Sequence, residues 1–206
     1  MYLHFNNITV TGVLHIGAHE CEELPFYRHY LGVSESNMLW IDAYKFKVEQ
    51  GKERGITNLY HALISNQDDI DTEFNIASNI QSSSILDFGT HTIEHPNIHF
   101  IDKVLLKTIT INTFFKRNNI DPTKYNFWNL DIQGAELLAL EGGENLLSNV
   151  DAIYIEVNIK QLYKNCPLIS DIDTFLAKHN FKRELTKMTI HGWGDAIFLK
   201  NKNKTI

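Results

Sequence analysis

The sequence predicts an α/β fold: a mostly parallel sheet with helices on both faces, closed at one edge by a C-terminal antiparallel hairpin. Three observations carry that expectation. Short apolar runs recur with helix-compatible segments between them, and such strand-crossover-strand repeats demand a parallel sheet. With 206 residues, 43 % of them hydrophobic and 21 % charged, the chain fits one large domain over 1–206, able to bury about 70 % of the surface that its unfolded form exposes. Two runs near the end flank the turn-rich His191-Gly192-Trp193-Gly194, as the strands of a hairpin flank their turn.

Taken in order, Gly12–Ile16, Met38–Ile41 and Leu59–Ile64 read as strands. Between them, Glu22–Leu31 sets Leu24, Tyr27 and Leu31 on one stripe. Lys45–Arg54 reads as a charged, solvated helix with Phe46 and Val48 turned inward. Thr72–Ala77 and Leu106–Ile111 read as extended pieces, and the Ser- and His-rich stretch Ser82–His99 as a long loop. Loops of that length inside a domain usually carry function. Alternation resumes with the strand Asn126–Asp131, the helix Ala135–Leu147, the strand Ala152–Val157 and the helix Ile169–His179, whose apolar side is Ile172, Phe175 and Leu176. Phe181–Met188 and Asp195–Lys200 form the closing hairpin. Residues 1–11 read as an N-terminal extension and 201–206 as a frayed tail.

Composition excludes several classes of function. A formal net charge of -6 gives no general attraction to nucleic acid or to anionic membranes. No basic stripe laced with aromatics is present either. Cys21 and Cys166 are too few for a disulfide framework and read as reduced thiols. The N-terminus has no basic region followed by an apolar one, and no apolar run approaches a membrane span. The expectation is a soluble cytoplasmic protein without membrane insertion.

Three motifs carry chemistry. In Val13-Leu14-His15-Ile16-Gly17-Ala18-His19-Glu20-Cys21 a buried strand runs into a sharp turn, where small residues let a nucleotide-like ligand approach the main chain. Neither a dinucleotide nor a triphosphate glycine pattern is present, so pyrophosphate ligands are disfavoured. About twenty-five residues on, Asp42 ends the second strand; there a carboxylate accepts from two ribose hydroxyls, or else caps the following helix. In Asn129-Leu130-Asp131-Ile132-Gln133-Gly134-Ala135-Glu136 a buried strand delivers Asp131 to the crevice above its C-terminal end. Glu136, in the first helical turn, either complements the helix dipole or acts directly.

With these motifs in view the chain resembles the FkbM family of S-adenosylmethionine (SAM)-dependent methyltransferases. The resemblance runs from about Gly12 to Lys200. It rests on H-I-G-A-H-x-x-E-E at 15–23, I-D-A at 41–43, A-L-I-S at 62–65, S-S-S-I-L at 82–86, T-I-T-I-N-T-F at 108–114, L-D-I-Q-G-A-E-L-L-A-L-E-G at 130–142, I-E-V at 155–157 and W-G-D-A-I-F at 193–198. It implies a Rossmann-like seven-strand methyltransferase fold, SAM as cofactor, and O-methylation of a small molecule, sugar or glycan. It places the cofactor on His15, Gly17, Ala18, His19, Glu23, Asp42, Ala43, Ala62, Leu63, Ser83 and Asp131, with Gly17, Ala18 and His19 around the methionine part, Asp42 at the ribose, and Ala62 and Leu63 beside the adenine. The sequence departs from the commoner family form in lacking the second glycine of the first loop, in Asp42-Ala43 where Glu-Pro is frequent, and in His15 where Asp is usual.

An alcohol is a poor nucleophile at neutral pH, so a base should take its proton. Asp131 is the first choice, with Glu156, His191 and Asp195 as the other candidates. Asp131 and Glu156 could instead share a divalent ion, but no cluster of diagnostic spacing supports a metal. Ser82–His99 is the expected substrate lid, its serines and His91, His95 and His99 available to sugar hydroxyls; Pro96 argues against a continuous helix and a zinc site there. Trp193 either stacks on a sugar or plugs the core. The rival readings are a catalytically degenerate SAM-binding module acting through protein contacts, a nicotinamide-dependent oxidoreductase and a nucleic-acid methyltransferase.

Overall fold

The computed structural model describes residues 8–201. Residues 1–7 of the expected N-terminal extension and the expected tail from 202 onward lie outside them. The elements follow in chain order as β1 (Val13–Ile16), α1 (Leu24–His29), β2 (Met38–Asp42), α2 (Lys45–Glu53), β3 (Leu59–His61), β4 (Leu63–Ile64), β5 (Asp71–Ala77), α3 (His91–Glu94) and β6 (Phe100–Ile109). After them come α4 (Ile111–Arg117), β7 (Phe127–Leu130), α5 (Glu136–Gly142), β8 (Ala152–Asn158), α6 (Ile169–Lys178), β9 (Phe181–Met188) and β10 (Trp193–Lys200).

Side chains on a strand alternate between faces, and here both faces are apolar. Leu14, Ile16, Leu39, Ile41, Trp128, Leu130, Ile153 and Ile155 pack against α4, α5 and α6. Val13, Met38, Trp40, Phe127 and Ala152 pack against α1 and α2. The outcome is a seven-stranded sheet in the order β3-β2-β1-β7-β8-β10-β9. Its first five strands are parallel. The hairpin closes it antiparallel, with β10 beside β8 and β9 at the edge.

Four local expectations are corrected. Leu59–Ile64 is not one strand: the chain bends at Ala62, whose amide bonds to the Asp42 carbonyl at 3.0 Å, and β4 leaves for a second sheet in the order β4-β6-β5. The extended piece expected at Leu106–Ile111 begins at Phe100 and stops at Ile109; Ile111 opens α4, where Thr110 Oγ1 caps the Thr113 amide at 3.1 Å. The helix expected over Ala135–Leu147 ends at Gly142 and gives way to a 3-10 helix over Glu144–Asn149; Gly143 between them lies against the Trp128 ring, where a Cβ would come within 2.8 Å of it. Phe46 is 52 % exposed rather than turned inward, whereas Val48 is buried.

The segment Ser82–His99 is a packed wall rather than an open loop. Phe88 stacks between His91, at 4.1 Å, and Phe100, at 4.0 Å. Ser82, Ser83, Ser84 and His91 are all buried. Cys21 and Cys166 are buried, free thiols. Among the described residues no helix is long and apolar enough to cross a membrane.

Candidate active site

The C-terminal ends of β1, β2 and β7 meet at one crevice, and its floor is the turn after β1. Gly17 has φ +93° and its α-carbon lies against the Asp131 carbonyl, so that a Cβ would fall 1.8 Å from that oxygen. Only glycine fits there. The Gly17 and Ala18 amides both reach the Ile41 carbonyl, at 2.9 and 3.0 Å. His19 continues in the left-handed region, φ 41°, and donates its amide to Asp42 Oδ2 at 2.7 Å. The other carboxylate oxygen accepts the Tyr44 amide at 2.7 Å. Asp42 therefore pins the first loop to the turn before α2, and burial pushes its pKa up against those two amides, which lower it.

Two cavities open over this floor. The smaller, about 70 Å³, runs from Gly17 and Asp42 past Ala43, Ala62, Leu63 and Ser83 to Asp131. The larger, about 490 Å³, holds Gly17, His19, Glu22, Glu23, Gln133, Glu156, Tyr163 and Trp193 in its wall and shares Asp131 with the first. That volume suits a small organic ligand.

Between the cavities lies a hydrogen-bonded set of side chains. Gln133 Nε2 donates to Asp131 Oδ1 at 2.7 Å and to Glu156 Oε2 at 2.8 Å. Its amide cannot turn over, because the Tyr163 hydroxyl donates to Gln133 Oε1 at 2.7 Å. Gln133 itself has φ 56°, a costly conformation for a side chain of its size. Glu156 is enclosed while Asp131 opens to the cavity. Desolvation, and then the Asp131 charge, push the Glu156 carboxyl well above the usual carboxylate range. Desolvation raises Asp131 as well, and hydrogen bonds from Gln133 and Glu156 to its ionised form oppose that rise only in part. Of the two carboxyls Glu156 is therefore pushed up further, so a proton held by the pair sits preferentially on Glu156 and Asp131 is the one readier to ionise. Among the described residues no group of three or more His, Cys, Asp or Glu is arranged to hold a metal.

Other expected residues are placed differently. His15 lines neither cavity; it is buried on the α1 face, bonded to the Tyr27 hydroxyl at 3.0 Å and stacked on Trp40 at 5.0 Å. Desolvation lowers its pKa to about 4, so it is neutral. Ala18 is buried beneath the loop. His191 stands outside the cavity wall, its Nδ1 2.9 Å from Glu94 Oε2, with Lys160 on the same carboxylate. Asp195 lies opposite Glu156 in the β8–β10 register. Ser83 is spent on its own turn, donating to the Ile80 carbonyl at 2.5 Å, and Ser84 donates to the Gln133 carbonyl at 2.8 Å. Of the three serines only Ser82 lines the larger cavity, together with His91 and His95. Glu136 is a clamp: buried, it accepts the Ile132 and Gly134 amides at 2.9 and 3.1 Å, and desolvation lifts its pKa to about 7.

Gln133 and Tyr163 were not singled out by the sequence. Gln133 stood in plain view beside Asp131, and a non-glycine residue inside a tight strand-to-helix turn is a usable signal. Tyr163 lies in the irregular stretch between β8 and α6, where no periodicity marks it.

Residues 15–183 match the model of the methyltransferase FkbM domain. No curated protein matches the sequence. Among solved structures, Sp1610 of Streptococcus pneumoniae, a candidate tRNA (m1A22) methyltransferase, is 9 % identical over 98 % of this chain and 68 % of that one, with a TM-score of 0.51. A protein of the NADB-Rossmann superfamily from Streptococcus agalactiae is 11 % identical over 97 % of this chain and 67 % of its own, with a TM-score of 0.51. At such identities the likeness speaks for the fold alone.

Proposed function

The chain belongs to the FkbM family of SAM-dependent methyltransferases, and from that premise we propose that it methylates a hydroxyl, on a sugar or glycan, with Asp131 as the general base. The residues present suit the cofactor. Each Asp42 oxygen spends one lone pair on a backbone amide and keeps another for a ribose hydroxyl. Ala43, Ala62 and Leu63 give the smaller cavity an apolar flank for a base, and Glu23, His19 and Asp131 face the space beyond Gly17. Bound there, SAM supplies a methyl group on a positively charged sulfur.

The chain's own part is alignment and proton transfer. Asp131, open to the larger cavity, accepts in its ionised form the hydroxyl proton as the oxygen takes the methyl and the thioether leaves. Gln133 fixes its position, and Glu156 keeps the second proton out of the way. Positioning of this kind is worth about 7–11 kcal/mol of barrier, and a placed base about 10²–10⁴-fold in rate.

The observation that carries the reading is the single accessible carboxylate at the junction of the two cavities. A catalytically silent cofactor-binding module draws on one observation as well: the amides of Gly17, Ala18 and His19 are all engaged within the protein. Calorimetric titration with SAM and S-adenosylhomocysteine, followed by a methyl-release assay on a panel of hexoses and deoxyhexoses, separates the two. Binding with turnover that Asp131→Asn abolishes supports the enzyme. Binding without turnover on any acceptor favours the silent module, and no binding removes both.

A further inference from the structure

The larger cavity also limits the charge of its guest, an inference that rests on the methyl-transfer reading. Its wall carries Glu22, Glu23, Asp131 and Glu156, and among the described residues lining it there is no lysine or arginine. Cations nearby in the fold are already engaged: Lys160 with Glu94, and Lys47 and Arg54 with Glu20. Glu22 is paired to His19 Nδ1 at 2.7 Å. The Glu23 carboxylate lies 3.8 Å from the neutral His15 and makes no ion pair with a lysine or arginine among the described residues. Carboxyl groups thus outnumber fixed cations in the wall, and the space carries a negative potential that a bound sulfonium amino acid, net singly positive, offsets only in part.

A second observation is that the wall is polar without being cationic. Asn79, Gln81 and Ser82 offer amide and hydroxyl groups, and Trp193 offers a flat ring. Behind them the buried His91 ring stands against Ser82, its Nε2 3.3 Å from the hydroxyl. This is the equipment for a polyol. A phosphate would need fixed cations or free amides instead, and would meet like charge at close range.

We infer that the acceptor is a sugar free of phosphate and carboxylate, either neutral or amine-bearing. Its methylation then follows the glycosyl transfer that frees it from a nucleotide carrier.

The test measures kcat/KM for methyl transfer from SAM to methyl glycosides of neutral and amino hexoses and deoxyhexoses, and to the matching hexose 1-phosphates, uridine diphosphate sugars and hexuronides. The inference expects every anionic form to be at least tenfold poorer than its neutral counterpart; a smaller gap overturns it. Glu22→Gln should narrow the neutral-to-phosphate ratio severalfold, and an unchanged ratio at full SAM affinity counts against the charge argument. Turnover on no sugar, with SAM bound, sinks the sugar reading and this inference together, whereas turnover on phosphorylated sugars sinks this inference alone.

Discussion

Gly17 packs against the carbonyl of Asp131, so that the first loop and the third motif form one surface although more than a hundred residues separate them. The approach leaves no room for a Cβ, which would lie 1.8 Å from the carbonyl oxygen at a φ of +93°. Gly17→Ala combines a left-handed backbone penalty with overpacking, together about 2–5 kcal/mol. Thermal unfolding should show a clearly lowered Tm and SAM titration a weakened site. A variant that melts with the parent protein would contradict the contact.

Asp42 holds two loops at once, through the His19 and Tyr44 amides. Asp42→Ala should weaken SAM binding by about 1–3 kcal/mol, and it should also lower Tm because two amides lose their acceptor. Asp42→Asn, which keeps one acceptor oxygen, should recover part of the stability and less of the affinity. Calorimetry that shows unchanged SAM affinity in both variants would take Asp42 out of the cofactor site.

In the proposed reaction the Tyr163–Gln133–Asp131 chain sets when the base is ready. Gln133 donates to the ionised form of Asp131 and so depresses its pKa. Tyr163→Phe releases the Gln133 amide, and Gln133→Leu removes it. In either variant the Asp131 pKa should rise and the acid limb of the kcat/KM profile should move to higher pH, with full activity recovered in alkaline buffer. A purely structural role would lower activity at every pH alike.

Glu136 makes a prediction about stability. Its folded-state pKa, raised to about 7 from a reference of 4.5, means that the folded chain holds a proton which the unfolded chain has released. The resulting stability is fully present below about pH 4.5 and is lost as the pH rises through 7. Its full size is about 3 kcal/mol. Glu136→Gln keeps an acceptor oxygen for the Ile132 and Gly134 amides. Its Tm should therefore fall less than that of the parent protein between pH 5 and 8; parallel curves would refute the buried proton.

Much of the sheet was legible because both of its faces are buried. Met38–Ile41 is apolar throughout and Phe127–Leu130 is apolar but for the buried Asn129, the near-continuous pattern of a central parallel strand. The second sheet was obscured for the opposite reason: β6 mixes Ile101, Leu105 and Lys103 on one face and Asp102 and Val104 on the other, all exposed. Phe46 was placed inward together with Val48 because both are apolar in a charged helix, but the inward stripe is narrow and of the two only Val48 lies on it. His15 shows what strand parity could have told. It shares a face with Val13, so its side chain points into the α1 layer rather than up to the crevice. The resemblance that placed it at the cofactor carried a position and not a direction.

The central pairing of β1 with β7 also bears on how the molecule comes into being. His15 and Asn129, opposite one another in that register, are 114 residues apart, and a contact so distant along the chain closes late. A ribosome would have to emit β7, more than a hundred residues after β1, before the floor under Gly17 could exist. Nascent or partly folded chains can pair β1 with β2, but they leave the other edge of β1 open for as long as β7 is missing. The floor of the crevice and the closure of that edge arrive in the same event.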